Sequence, residues 1–214
     1  MEITDLTLQK KNKSRVNISL DGEFKGVLFD EIVFANGLKV GDFLKKEQFE
    51  RMLSDSQNYF AKTDAFKFIS SGFKTEKELR NYLYKKGYIK AAVDYAAALV
   101  KEYDLIDDRK YCKEYYRIYR ESKSIFAIKS SLKQKGINDI LINEIVIDEG
   151  DTELRLAEKL TEKLIKSDDK NITFKALMKL KRQLYSRGIT LENIEKATSD
   201  FTVINENNDY GEID

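Results

Sequence analysis

The chain is 214 residues long, 42% hydrophobic and 35% charged, with 38 Lys/Arg against 37 Asp/Glu; this is the profile of a folded chain of one large or two small domains rather than a disordered one. Histidine is absent and Cys112 is the one cysteine, which excludes a Cys/His metal cluster, an internal disulfide and the commonest general base. No apolar run approaches the ~20 residues of a membrane span, and the N-terminus lacks the layout of a signal peptide, so the cytoplasm is the expected compartment.

In chain order, residues 2–29 read as three antiparallel strands. Val16, Ile18 and Leu20 alternate with polar residues, Asp21-Gly22 is a strong hairpin signal, and Phe24–Phe29 returns as the partner strand. Leu6 and Leu8 place one more strand ahead of the turn at Lys10, Lys11, Asn12 and Lys13. A short helix over Asp30–Asn36 stops at Gly37. Phe49, Met52 and Leu53 give the stripe of another from about Lys46 to Asn58, fit to cover the sheet. This part reads mainly as scaffold; the rival is that the basic hairpin end, Lys10, Lys11, Lys13 and Arg15, touches phosphate or an acidic protein surface.

From Tyr59 the pattern is helical. Ala61, Ala65, Phe68 and Ile69 form one stripe. Thr75 and Glu78 form a capping box for a helix carrying Leu79, Tyr82 and Leu83 to a stop at Gly87, and Val93, Ala96, Ala97 and Val100 mark the next from Lys90. Asp107-Asp108 reads as a helix cap rather than a metal or acid/base pair, because no third carboxylate or histidine stands at a ligand spacing. Ser124 caps a helix to Gly136, followed by Leu141, Ile142 and Ile145; Asp148-Glu149-Gly150-Asp151 is the clearest internal break. Thr152–Ser167 is an amphipathic helix, Asp168–Asn171 its exit loop, and Thr173 and Thr190 start the last two helices. Cys112 lies among helical aromatics and reads as a core residue.

One pattern recurs. Leu-x-x-x-Gly appears at Leu83/Gly87, Leu132/Gly136 and Leu184/Gly188, with glycines 49 and 52 residues apart and an apolar residue, Val93, Ile142 or Ile194, six positions on. Periods of this size mark tandem helical units. The expected fold is mainly α: tandem three-helix repeats forming an elongated curved array, preceded by a small N-terminal antiparallel β-sheet/helix domain. The expected boundaries are 1–58, then repeats at 59–106, 107–150 and 151–200, then an acidic tail at 201–214.

Ser71–Tyr88, Asp104–Arg117 and Ser131–Ile137 resemble the RecX family of bacterial recombination regulators. Thr75, Glu78, Leu79, Lys86, Gly87, Leu105, Ile106, Asp107, Asp108 and Tyr111 match its recurring pattern, while Asp104 stands where glycine is usual and Cys112 where alanine is usual. The resemblance covers about residues 60–200 and weakens toward the third repeat. It implies a regulator of the RecA recombinase in DNA repair that associates with the RecA filament on single-stranded DNA and limits filament growth, ATP hydrolysis and strand exchange.

Two basic columns run through the aligned repeats. Arg80, Lys129 and Lys181 stand three before the anchor leucine, and Lys86, Lys135 and Arg187 three after it. The second column is accounted for by a cation at a helix C-terminus; the first has no dipole explanation and is otherwise a solvated face. Taken together in stacked repeats, the six form a basic track with Tyr82, Tyr84 and Tyr185 nearby, suited to the filament or to single- or double-stranded DNA. No Walker loop, Rossmann fingerprint, nucleophile elbow or metal cluster is present, which points to a binding protein, expected to be a monomer without cofactor. The rivals are a nucleic-acid-binding module acting without RecA and a purely structural scaffold.

Overall fold

The computed structural model describes residues 1–147, 151–165 and 170–204. Helices dominate, with a three-stranded antiparallel sheet at the N-terminus. The chain divides into two compact units, Met1–Asp107 and Asp108–Asp214.

In the first unit, strands β1 (Ile3–Leu8), β2 (Arg15–Leu20) and β3 (Glu23–Phe29) pair in that order. Asp21 and Gly22 both take positive φ, 52° and 83°, the geometry of the two-residue hairpin turn that matches strand twist. Alternation buries Val16, Ile18 and Leu20 on one face. Helix α1 (Asp30–Ala35) ends at Gly37, and α2 (Lys46–Ile69) follows.

Helix α2 departs from the expectation of an end near Asn58. It runs uninterrupted for 24 residues, because nothing between Ser54 and Ala65 breaks a helix: there is no glycine and no proline. Its first half buries Phe49 and Met52 in the sheet core with Ile3, Ile18, Leu20 and Leu28; its second half buries Phe60, Ala61 and Ala65 in a second core. Ser56 sits between the two, accepting a hydrogen bond from Phe29 N at 2.9 Å and donating one to Met52 O at 2.8 Å. The expected boundary at 58/59 therefore falls inside one rod that serves both cores.

Helices α3 (Glu76–Lys85) and α4 (Lys90–Glu102) complete that second core with Leu79, Leu83, Val93, Ala96, Ala97 and Val100. Among helix pairs, α2 packs most extensively on α4. Alanines on both, Ala61 and Ala65 facing a core shared with Ala92, Ala96 and Ala97, permit close approach.

The second unit holds two three-helix groups. Helices α5 (Asp108–Tyr119), α6 (Ile125–Gln134) and α7 (Asp139–Ile145) enclose Cys112, Ile128, Leu132, Ile137, Ile142 and Val146. Helices α8 (Thr152–Ile165), α9 (Phe174–Ser186) and α10 (Leu191–Ala197) enclose Leu156, Ala157, Leu177, Leu180, Leu184, Ile189 and Ile194. Two short strands that periodicity did not suggest, β4 (Asn171–Thr173) and β5 (Thr202–Ile204), pair in parallel beside this last core. The break at Asp148–Gly150, the end of the helix expected to reach Ser167, the first half of the exit loop and the tail from Asn205 lie outside the described residues. No helix among the described residues is long and apolar enough to cross a membrane.

Candidate functional site

The recurring Leu-x-x-x-Gly is a helix stop. In each copy the glycine takes the left-handed conformation, with φ of 87° at Gly87, 88° at Gly136 and 78° at Gly188. The residue after it donates a backbone hydrogen bond to the anchor leucine: Tyr88 to Leu83, Ile137 to Leu132 and Ile189 to Leu184. The glycine itself donates to the residue after the leucine, completing a Schellman motif whose flanking apolar pair is buried in all three copies. Ser124, Thr173 and Thr190 cap α6, α9 and α10 with their hydroxyls, and Thr75 with Glu78 forms the reciprocal capping box on α3.

These stops set where the two basic columns lie. The first column turns onto the third helix of its own group. Arg80 reaches Asp94 at 2.5 Å, Lys129 reaches Asn143 Oδ1 at 2.9 Å, and Lys181 reaches Glu195 at 2.5 Å, each across fourteen positions. The acceptor is in every case the residue after the buried Val93, Ile142 or Ile194, so the contact clasps the second helix to the third beside the core. Arg80 also pairs with Glu76 at 2.8 Å, and its side chain is 31% exposed. The Asp94 and then Glu76 hydrogen bonds raise its pKa. Asp94 is pulled below the usual carboxylate range by Lys90 first and Arg80 second. A polar column one residue past the repeat's apolar mark was the available signal for this clasp.

The second column goes elsewhere. Lys86 pairs with Asp64 of α2 at 3.0 Å, which raises its pKa through that hydrogen bond. Lys135 lies over the Tyr111 ring of α5, 5.5 Å from its centroid, and Arg187 donates to Gln183 O on its own helix at 2.9 Å. In the first group Arg80 thus faces α4 while Lys86 faces α2, and the two do not share a line.

Of the basic hairpin, Lys10, Lys11 and Lys13 are exposed, whereas Arg15 is drawn inward. Its guanidinium lies 4.0 Å from the Phe60 ring centroid and donates to Tyr88 Oη, which donates in turn to Asp64. Burial first, and the hydrogen bond to Asp64 second, push the Tyr88 phenol far above its ordinary pKa. Cys112 is fully buried, and burial raises its thiol pKa, the opposite of an activated nucleophile. No group of three His, Cys, Asp or Glu among the described residues stands as a metal site.

A second cluster extends the helical stripe of Tyr111 and Tyr115 to Tyr119 and Lys123, which periodicity did not single out. On α5, Tyr111, Tyr115 and Tyr119 follow one another at helical spacing, with ring centroids 6.1 and 4.5 Å apart. Lys123 lies over Tyr115 and Tyr119, at 5.3 and 4.0 Å from their centroids. Three tyrosines at i, i+4 and i+8 are a signal legible in the sequence.

The architecture defines a helical-repeat protein, three-helix groups following a small antiparallel sheet, and known proteins sharpen that class. The family described as regulatory protein RecX N-terminal domain matches residues 1–45. Regulatory protein RecX of Clostridium beijerinckii is 34% identical over 197 residues, 89% of this chain and 91% of that one. Regulatory protein RecX of Clostridium perfringens strain SM101 is 30% identical over 216 residues, 99% of each chain. The chain belongs to the RecX family of regulatory proteins. A crystal structure of regulatory protein RecX shares the fold at a TM-score of 0.65 and 23% identity, covering 93% of this chain and 98% of the other. RecX from Lactobacillus salivarius does so at 0.60 and 22%, covering 67% and 96%.

Proposed function

We propose that this chain is a negative regulator of RecA that binds the RecA filament on single-stranded DNA and limits its extension, ATP hydrolysis and strand exchange. The observation that carries the reading is nearly full-length similarity to proteins named regulatory protein RecX. It acts as a monomeric cytoplasmic binding protein without a catalytic step. Tandem groups ended by the same stop can offer similar contacts to successive protomers of a helical polymer. The six repeated cations divide the work: Arg80, Lys129 and Lys181 hold the third helices in place, and Lys86, Lys135 and Arg187 at the helix ends supply contacts to the filament.

The test is RecA's single-stranded-DNA-dependent ATP hydrolysis with this protein present below one molecule per RecA. Inhibition there is the expected result and points to blocked extension; no inhibition at equimolar protein removes the proposal. A second reading, a nucleic-acid module acting without RecA, is favoured by the tyrosine and lysine cluster on α5. It predicts binding to bare DNA that falls steeply with salt.

A further inference from the structure

Where the tyrosines of α5 end, Lys123 lines a cavity of about 460 Å³ inside the second unit. Lys123 and Arg187 line it together with the hydroxyl-bearing Ser122, Ser124, Ser131 and Ser186, and no carboxylate does. Two cations with no acid separate it from the other cavities beside cations: the one beside Lys179 also lacks a carboxylate but holds that single cation. The one beside Lys86 and Arg15 contains Asp64, and the one beside Arg51 contains Glu31 and Asp55.

The cations are available. Lys123 donates to Tyr115 Oη at 3.0 Å and Arg187 to Gln183 O at 2.9 Å; neither pairs with a carboxylate among the described residues. Arg80, Lys86 and Lys181, by contrast, each pair with one. The cavity wall is held in place. Ser124 Oγ donates to Arg187 O at 2.8 Å, tying the start of α6 to the end of α9. Gly188 is seated so closely that a Cβ there would meet Ser124 Oγ at 2.8 Å and the Phe126 ring at 2.9 Å. Two cations without a carboxylate partner and a lining without an acid suit a tetrahedral oxyanion; the serine hydroxyls, each donating to a backbone carbonyl, build the wall around it. The Tyr115 phenol reports the same positive surroundings: burial alone would raise its pKa, yet hydrogen bonds from Ser131 and Lys123, with the charges of Lys123 and Lys135, bring it below its ordinary value.

We propose that this cavity holds a backbone phosphate of a single-stranded nucleic acid, and that the neighbouring bases lie along Tyr119 and Tyr115 in place of the Lys123 ammonium. The pairing of a phosphate seat with an adjacent aromatic run is the chemistry by which single strands are held without regard to sequence. The proposal rests on the reading of this chain as a regulator that works on single-stranded DNA, but it is tested without RecA.

The experiment measures fluorescence anisotropy of a labelled oligo(dT) with the full chain and with Lys123→Gln, Ser186→Glu and Tyr119→Leu. An abasic oligomer and inorganic phosphate serve as further probes. Lys123→Gln and Ser186→Glu are expected to weaken oligo(dT) and abasic oligomer alike by roughly five- to tenfold, and Lys123→Gln to lower the salt slope by about 0.7 for the lost phosphate. Tyr119→Leu, which keeps an apolar side chain against the core, is expected to weaken oligo(dT) several-fold and leave the abasic oligomer unchanged. Unchanged oligo(dT) affinity in Lys123→Gln and Ser186→Glu, with circular dichroism as in the parent, overturns the proposal. So does phosphate that stabilises the parent and not Lys123→Gln while both bind oligo(dT) equally, since the seat would then serve a free anion. RecA inhibition in the same variants is read separately: its absence in the parent protein would overturn the regulatory reading and leave the phosphate seat standing.

Discussion

Gly87 and Gly188 end α3 and α9 with the same backbone hydrogen bonds and nearly the same left-handed φ, yet their surroundings differ. A side chain at Gly87 would enter open space, whereas at Gly188 it would strike Ser124 and Phe126. One stop is purely local; the other is also a joint between the two groups of the second unit, closed by the Ser124 hydroxyl on the Arg187 carbonyl. A repeated motif therefore ends a helix everywhere it occurs but builds a tertiary contact only where a neighbour has been brought against it.

The largest effect expected from breaking this comparison belongs to Gly188→Ala. Left-handed strain of about 1–2 kcal/mol adds to overpacking of about 1–3 kcal/mol, so a loss of roughly 3 kcal/mol is expected in denaturant unfolding. Gly87→Ala carries the strain alone. Equal losses at the two sites would show that the crowding is relieved at no cost and that the joint does not depend on the missing side chain.

Next in size is Glu153. In the first unit the cap of α3 is local, with Thr75 and Glu78 satisfying each other's backbone N–H. In the last group Thr190 caps α10, but position N3 is Asn193, and the carboxylate comes instead from Glu153 on α8. Its Oε2 accepts from Thr190 N, Thr190 Oγ1 and Asn193 Nδ2 at 3.2, 2.8 and 2.8 Å. Glu153 is 3% exposed, so Glu153→Ala leaves three donors without their acceptor in a protected place. A cost of about 2–3 kcal/mol is expected, against about 1 kcal/mol for Glu78→Ala. Thermal melts of the two variants decide the order.

These pairs also show what could be read from sequence. Caps and stops were legible because all their determinants lie within about seven residues: Thr75 with Glu78, Ser124, Thr173, and each glycine with its leucine. The apolar marks Val93, Ile142 and Ile194 were legible for the same reason and are buried. What stayed hidden depends on partners far along the chain. Helix α2 was divided because its two halves face different cores, so their apolar stripes fall out of phase although the backbone never breaks. Strands β4 and β5 are three residues each and exist through pairing with one another. The basic columns were visible as columns, but that Arg80 and Lys181 meet carboxylates on the following helix required the fold. The N-terminal sheet is the reverse case: its strands and its Asp21-Gly22 turn are legible, but the motifs that carry the family resemblance begin only near residue 60, yet residues 1–45 match the family's N-terminal domain.

The clasp itself is a smaller term. Arg80→Met removes contacts to Asp94 and Glu76 at a partly exposed site, where screening limits the expected loss to about 1 kcal/mol or less near neutral pH. The pH dependence has a definite sign. Burial alone would raise the Glu76 pKa, but the hydrogen bonds from Arg80 and Lys101 carry it below its ordinary value. Its contribution is therefore present above the unfolded carboxylate pKa of about 4.3 and disappears as pH falls below that. Unfolding curves of the parent and Arg80→Met should converge in acid; a gap that persists there would assign the loss to packing of the arginine stem rather than to its charge.

The smallest effect has the opposite sign. Helix α4 ends with the same hydrogen bonds as the three glycine stops, Leu105 N to Val100 O and Asp104 N to Lys101 O, but an aspartate occupies the left-handed position at φ 53°. This is where the family pattern usually has glycine, and the backbone explains why: an L residue pays steric strain there that glycine does not. Asp104 is exposed, so replacing it disturbs no core. Asp104→Gly should therefore stabilise the first unit, by about 0.5 kcal/mol after the greater unfolded-state freedom of glycine offsets part of the relief. Asp104→Ala keeps the strain without the local hydrogen bonding that lets aspartate tolerate this conformation, and it should lose stability. If alanine and glycine shift the unfolding midpoint alike, the gain comes from removing a negative charge at the C-terminal end of α4, where the helix dipole disfavours it, and not from the backbone.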